Sequence, residues 1–93
     1  MERYDGIYII NPNLRIEVIK KIILEVNNIF SQNNSTDLEI EEWGVKQLPY
    51  EISGLKNGYY VKFTVNCDLT NVTEYDKFCC KHEDIIRHIL IKN

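Results

Sequence analysis

The 93-residue sequence predicts an α+β fold, a ferredoxin-like β-α-β-β-α-β sandwich with two helices on one face of a four-stranded antiparallel sheet. Three observations carry this expectation. Apolar residues spaced by three and four mark a long amphipathic helix over 15–30 and a shorter one beyond Asp68. An alternation of period two runs from Tyr59 to Cys67. Runs rich in aromatic and β-branched residues, RYDGIYII and IIRHILI, stand near the two ends.

The first strand, Arg3 to Ile10, carries apolar residues on both faces and stops at the turn formers Asn11-Pro12-Asn13. The helix that follows places Ile16, Ile19, Ile22, Ile23, Val26, Ile29 and Phe30 on one face, with Lys20, Lys21, Glu25 and Asn28 on the solvated side. Ser31 to Asp37 is a polar loop. The stretch EEWGVKQLPYEI, Glu41 to Ile52, puts Trp43 and Val45 on one side and Leu48, Tyr50 and Ile52 on the other. A Gly and then a Pro inside a strand prevent even pairing, so two strand segments joined by a kink near Gly44 are expected, the second at a sheet edge. Lys56-Asn57-Gly58 carries an Asn-Gly hairpin signal, placing a turn over 54–58.

In the third strand Tyr59, Val61, Phe63, Val65 and Cys67 form the core face. Asp68 or Thr70 caps the second helix, in which Leu69, Val72, Tyr75 and Cys79 recur, with Phe78 beside them. The last strand covers Ile85 to Ile91. Crossover handedness suggests the first and last strands for the sheet centre. The uncovered face then carries Arg3, Asp5, Ile7, Ile9, Tyr60, Lys62, Thr64, Arg87, Ile89 and Ile91, and four isoleucines exposed together would invite a partner.

Composition bounds the function. One domain, 1–93, with one core is expected, burying roughly 60 to 65% of the unfolded surface. With 44% hydrophobic and 27% charged residues the chain is of ordinary globular make-up, and its net charge of -3 disfavours a protein that coats nucleic acid unaided. Cys67, Cys79 and Cys80 match no thiol-pair or Cys/His motif, which suggests small buried thiols in a reducing compartment. The Asn-X-Ser/Thr patterns at Asn33, Asn34 and Asn71 carry no meaning without a signal peptide, and the opening residues have neither the basic start nor the apolar run of a targeting segment. Abundant Ile, Asn and Lys without any Ala reflect AT-rich codon bias.

EEWGVKQLPYEISGLKNGYY, RYDGIYIINPN and EDIIRHILIKN together closely resemble, in order and spacing, the bacterial-type small-subunit ribosomal protein six family over the whole chain. The resemblance implies a structural constituent of the small ribosomal subunit that binds the central domain of small-subunit ribosomal RNA together with ribosomal protein eighteen. It implies a cytoplasmic site in that subunit, with an organellar ribosome left open, and neither cofactor, metal, small-molecule substrate nor membrane. It also implies RNA contacts by Arg3, Tyr4, Lys46, Gln47, Tyr50, Arg87, His88 and Lys92, and a partner-protein interface of Ile7, Ile9, Tyr60, Lys62, Ile89 and Ile91. Gln47 stands where the family often has a basic residue, one charge fewer for phosphate. With the sequence stopping at Asn93, no contact through a C-terminal tail is expected.

Plainer roles compete. Tyr4 and Tyr50 suit packing with a wet hydroxyl, and His88 shares the parity of Ile86 and Leu90, that of a satisfied, half-buried ring. A single-strand RNA binder of the RRM type shares the strand order, but Gly58 stands where its first stacking ring belongs. An enzyme is disfavoured: Asn11-Pro12-Asn13-Leu14 lacks the glycines of a phosphate cradle, and neither His82 nor His88 has an obvious nucleophile partner.

Overall fold

A strand with apolar residues on both faces needs a neighbour along each edge, and the first strand has both. In the computed structural model, which describes residues 2–31 and 35–93, β1 (Glu2–Ile10) pairs antiparallel with β3 (Leu55–Cys67) on one side and β4 (Ile85–Lys92) on the other. The helices are α1 (Ile16–Ser31) and α2 (Leu69–Lys81), and β2 (Thr36–Ile52) completes a sheet of order β2-β3-β1-β4. The element order and the antiparallel sheet are those expected from the sequence.

The expected place of the last strand is corrected: β4 lies at an edge, and β3 shares the centre with β1. Each β-α-β crossover skips one strand, so β3 slots between β1 and β2 while β4 goes to the far side of β1. The apolar character of β4 does not reflect a central position: Ile85 is buried, but Ile89 and Ile91 are exposed. Residues 32–34, which include two of the three Asn-X-Ser/Thr asparagines and the middle of the expected polar loop, lie outside the described residues, as does residue 1.

The core sits between the sheet and the two helices. Tyr8 and Ile10 from β1, Val61, Phe63, Val65 and Cys67 from β3, and Ile19, Ile22, Ile23, Val26 and Phe30 from α1 are all buried, with Tyr75 and Cys79 from α2. Four rings fill its middle, Phe30 against Phe63 at 4.9 Å between centroids and Phe63 against Tyr75 at 5.3 Å. Burying each large side chain contributes about 1.5–3 kcal/mol relative to leaving it in water. Leu69, expected on this face, is exposed. In its place Asn71 is fully buried: its side-chain oxygen accepts from the Asp68 backbone N–H at the helix cap, and its amide donates to the carbonyl of Ile29 at 3.1 Å. One polar side chain thus fixes the start of α2 to the end of α1. Of the cysteines, Cys67 and Cys79 are buried and Cys80 is exposed, against the expectation of three buried thiols. Burial pushes the Cys79 thiol up to about 12.

The β2–β3 hairpin also turns at a different place. Ser53 and Gly54 both have positive φ, 50° and 81°, and Ile52 pairs with Leu55, a two-residue turn with the twist that hairpins favour. The Asn57-Gly58 pair lies within β3 instead. There the absence of a side chain matters: a Cβ on Gly58 would stand 2.2 Å from Ile9 Cγ2. The expected kink does occur at Gly44, whose φ is 78° and where the β2–β3 register shifts.

Candidate partner and nucleic-acid interface

Strand parity decides what the uncovered face carries. Arg3 lies opposite Asn66, Asp5 opposite Thr64, Ile7 opposite Lys62 and Ile9 opposite Tyr60, while Ile91, Ile89 and Arg87 flank them from β4. The face is therefore the expected one. Its exposure is graded, however: Ile89 and Ile91 are 50% and 58% exposed, Ile7 is half-buried, and Ile9 is buried at 9%. The expectation of four exposed isoleucines fails at Ile9, which packs against Gly58 beneath Leu48, itself buried. Ile7, Ile9, Tyr60, Arg87 and Ile89 line a shallow hollow whose surface is apolar.

The bulge at Gly44 controls the other half of the face. One extra residue in β2 reverses the side to which successive side chains point. Trp43 consequently stacks on Tyr60 of the open face, with centroids 6.3 Å apart and planes inclined by 15°. Val45, expected on the same side as Trp43, lies opposite Tyr59, whose ring belongs to the helix side. The parity change thus falls between Trp43 and Val45. Past the bulge Lys46 returns to the open face and sets its ammonium 4.6 Å from the Trp43 ring centroid. The hairpin then curls over the sheet, where the Arg87 guanidinium lies 5.2 Å from the centroid of Tyr50. Cations held over aromatic faces keep their charge available to a further anion, and each such contact contributes about 0.5–1 kcal/mol at exposed sites.

Charge on this face is divided. Glu39 and Glu41 stand opposite Thr64 and Lys62, and Trp43 Nε1 donates to Glu41 Oε2 at 3.3 Å. Acidic groups therefore border the apolar hollow on the β2 side, whereas Lys46 and Arg87 gather with Trp43, Tyr50 and Tyr60 at the hairpin end. Gln47, opposite Asn57, is exposed but has the parity of Val45 and so points to the other side of the strand. Arg3 lies at the other end of β1, six residues from Ile9 and so roughly 20 Å away, where its Nη2 donates to Thr64 Oγ1 at 3.3 Å.

The remaining residues expected at this interface lie elsewhere. Tyr4 packs against the core beneath the helices. Lys92 pairs opposite Tyr4 and places its Nζ 3.6 Å from a Glu2 carboxylate oxygen. The His88 ring meets Tyr75 edge to face at 5.7 Å, and its Nε2 is 2.9 Å from Asp76 Oδ1. Both residues turn toward the helix side, as the parity of His88 with Ile86 and Leu90 suggested. Trp43 is the member that residue-by-residue reasoning left out. Its signal was the Gly beside it, which frees one side chain from the alternation of the strand.

Comparison with known proteins agrees with the architecture. A family model described as ribosomal protein S6 matches residues 3–92. Among solved structures, the crystal structure of 30S ribosomal protein S6 from Thermotoga maritima superimposes with a TM-score of 0.91 at 26% sequence identity, over 99% of this chain and 87% of that one.

Proposed function

This chain belongs to the ribosomal protein S6 family, a family of structural components of the small ribosomal subunit rather than of enzymes, and from that premise we propose that it binds the central domain of small-subunit ribosomal RNA as a heterodimer with ribosomal protein eighteen. The observation that carries the proposal is the division of the uncovered face into an apolar hollow bordered by Glu39 and Glu41 and a corner where Lys46 and Arg87 lie over aromatic rings. Ile7, Ile9, Tyr60, Lys62, Ile89 and Ile91 form the protein-binding part, since apolar area rimmed by acids fits a basic partner. Lys46, Arg87 and Arg3 contact phosphates and fix register, while Tyr50 packs against sugar or base and Gln47, on the other side of β2, offers phosphate an uncharged donor only. Tyr4, His88 and Lys92 act from the helix side or the sheet end, as supports of the strands that carry these groups. A net charge of -3 is compatible with such a role when the partner brings the positive charge.

A gel-shift on a central-domain RNA fragment tests this, with this protein alone, ribosomal protein eighteen alone, and both. Binding only by the mixture supports the heterodimer. Tight binding of single-stranded RNA by this protein alone points instead to an RRM-like use of the Trp43–Tyr60 stack. In the mixture, Arg87→Ala is expected to weaken the complex about ten- to a hundredfold, the scale of one charge-assisted contact of about 1.5–3 kcal/mol, with the unfolding midpoint nearly unchanged.

A further inference from the structure

On the helix side of the sheet, away from the face just described, three residues of different ligand chemistry converge. Asp76 and Cys80 are four apart on α2, so both project from one side of the helix toward β4. His88, in the middle of β4, meets them there. One carboxylate oxygen, the Cys80 sulfur and an imidazole nitrogen all lie within 4.8 Å of one another. This is the only such constellation of three among the described residues. We propose that Asp76, Cys80 and His88 form a binding site for one zinc ion, with water as the fourth ligand, which clamps α2 to the edge strand β4.

The geometry suits a tetrahedral ion. With bonds of about 2.0–2.3 Å to nitrogen, oxygen and sulfur, tetrahedral ligand atoms stand about 3.3–3.8 Å apart. The 2.9 Å contact between His88 Nε2 and Asp76 Oδ1 therefore needs to open by less than an ångström, while the sulfur moves inward. That contact already brings two ligands together. Packing of the imidazole edge to face on buried Tyr75 limits its rotation. Asp76 and Cys80 are exposed, which leaves a route for the ion and room for water on the outer side. A donor set of one thiolate, one imidazole and one carboxylate favours zinc over magnesium or calcium, which take oxygen ligands. The plainer account, a hydrogen bond tying helix to strand, explains Asp76 and His88 and gives Cys80 no part.

The test uses the untagged full chain, kept reduced with a phosphine, and titrates Co2+ and then Zn2+. The expected result is one equivalent of cobalt with a thiolate charge-transfer band, displaced by zinc, and a higher unfolding temperature with zinc present. Cys80→Ser removes the band and weakens zinc binding at least tenfold. His88→Gln weakens it at least tenfold, and His82→Gln leaves it unchanged. Absence of the thiolate band, or zinc affinity unaltered by Cys80→Ser, overturns the proposal. Because the Cys80 side chain is exposed, that variant folds, and its unfolding curve without metal verifies this.

Discussion

Tyr8 stands fully buried with no hydrogen-bond partner for its hydroxyl among the described residues. Burial pushes its phenol far above the ordinary tyrosine range, since a charged oxygen there would be stripped of water. The neutral hydroxyl also loses its hydration on folding and gains little in return. Tyr8→Phe is therefore expected to raise stability by about 1 kcal/mol, measured as a higher urea midpoint with an unchanged slope. Gly6 gives the opposite case. The far end of the Phe63 ring lies against it, and a Cβ would stand 2.3 Å from Cζ of that ring. Gly6→Ala should cost about 1–3 kcal/mol, the scale of overpacking a filled core, and Gly6→Ala combined with Phe63→Leu should recover part of it. Neither effect is visible in sequence alone, where Tyr8 is one more apolar-looking strand residue and Gly6 an interruption.

At the scale of elements, periodicity identified both helices and the third strand, because spacings of 3.6 and 2 follow directly from which side is buried, and aromatic and β-branched runs identified the first and last strands. What it could not determine was anything that depends on pairing. The turn at Ser53-Gly54 lost to the Asn57-Gly58 signal because both dipeptides tolerate positive φ, and only the register of β2 against β3 selects between them. The edge position of β4 likewise depends on which strand slots between the crossovers, and nothing within IIRHILIK encodes that. The candidate site was legible where strand parity governs it, at Ile7, Tyr60, Arg87 and Ile89. It was illegible at Trp43, Asp76 and Cys80, which reach their neighbours through a bulge or across a helix-to-strand contact. Asn71 offers a test of element docking. Asn71→Ala removes both the acceptor at the α2 cap and the donor to Ile29, and a loss of about 2–3 kcal/mol is expected in chemical denaturation.

At the scale of the whole molecule, the bond from Lys20 to Glu42 at 2.5 Å ties α1 to the edge strand β2. The Lys20 hydrogen bond, with a second from the Tyr59 hydroxyl, holds the Glu42 carboxyl below its usual value. A carboxylate with a depressed folded pKa adds stability above its unfolded pKa and loses it as pH falls through the folded one. Glu42→Gln should therefore flatten the acid limb of the stability curve, modestly and less so at high salt, since the pair is solvent-exposed. Thermal melts from pH 7 down to pH 3 check this, and an acid limb identical to that of the parent chain would refute it. The bulge at Gly44 has a last consequence, for how this surface can change over generations. Because one surplus residue sets the phase of everything between it and the hairpin, a single codon gained or lost there would exchange the two sides of the segment, sending Lys46 to the helix side and Val45 to the open face. An edge strand has a free side on which such a slip can be absorbed, so a one-residue indel can rewrite the binding surface while leaving the core sequence untouched.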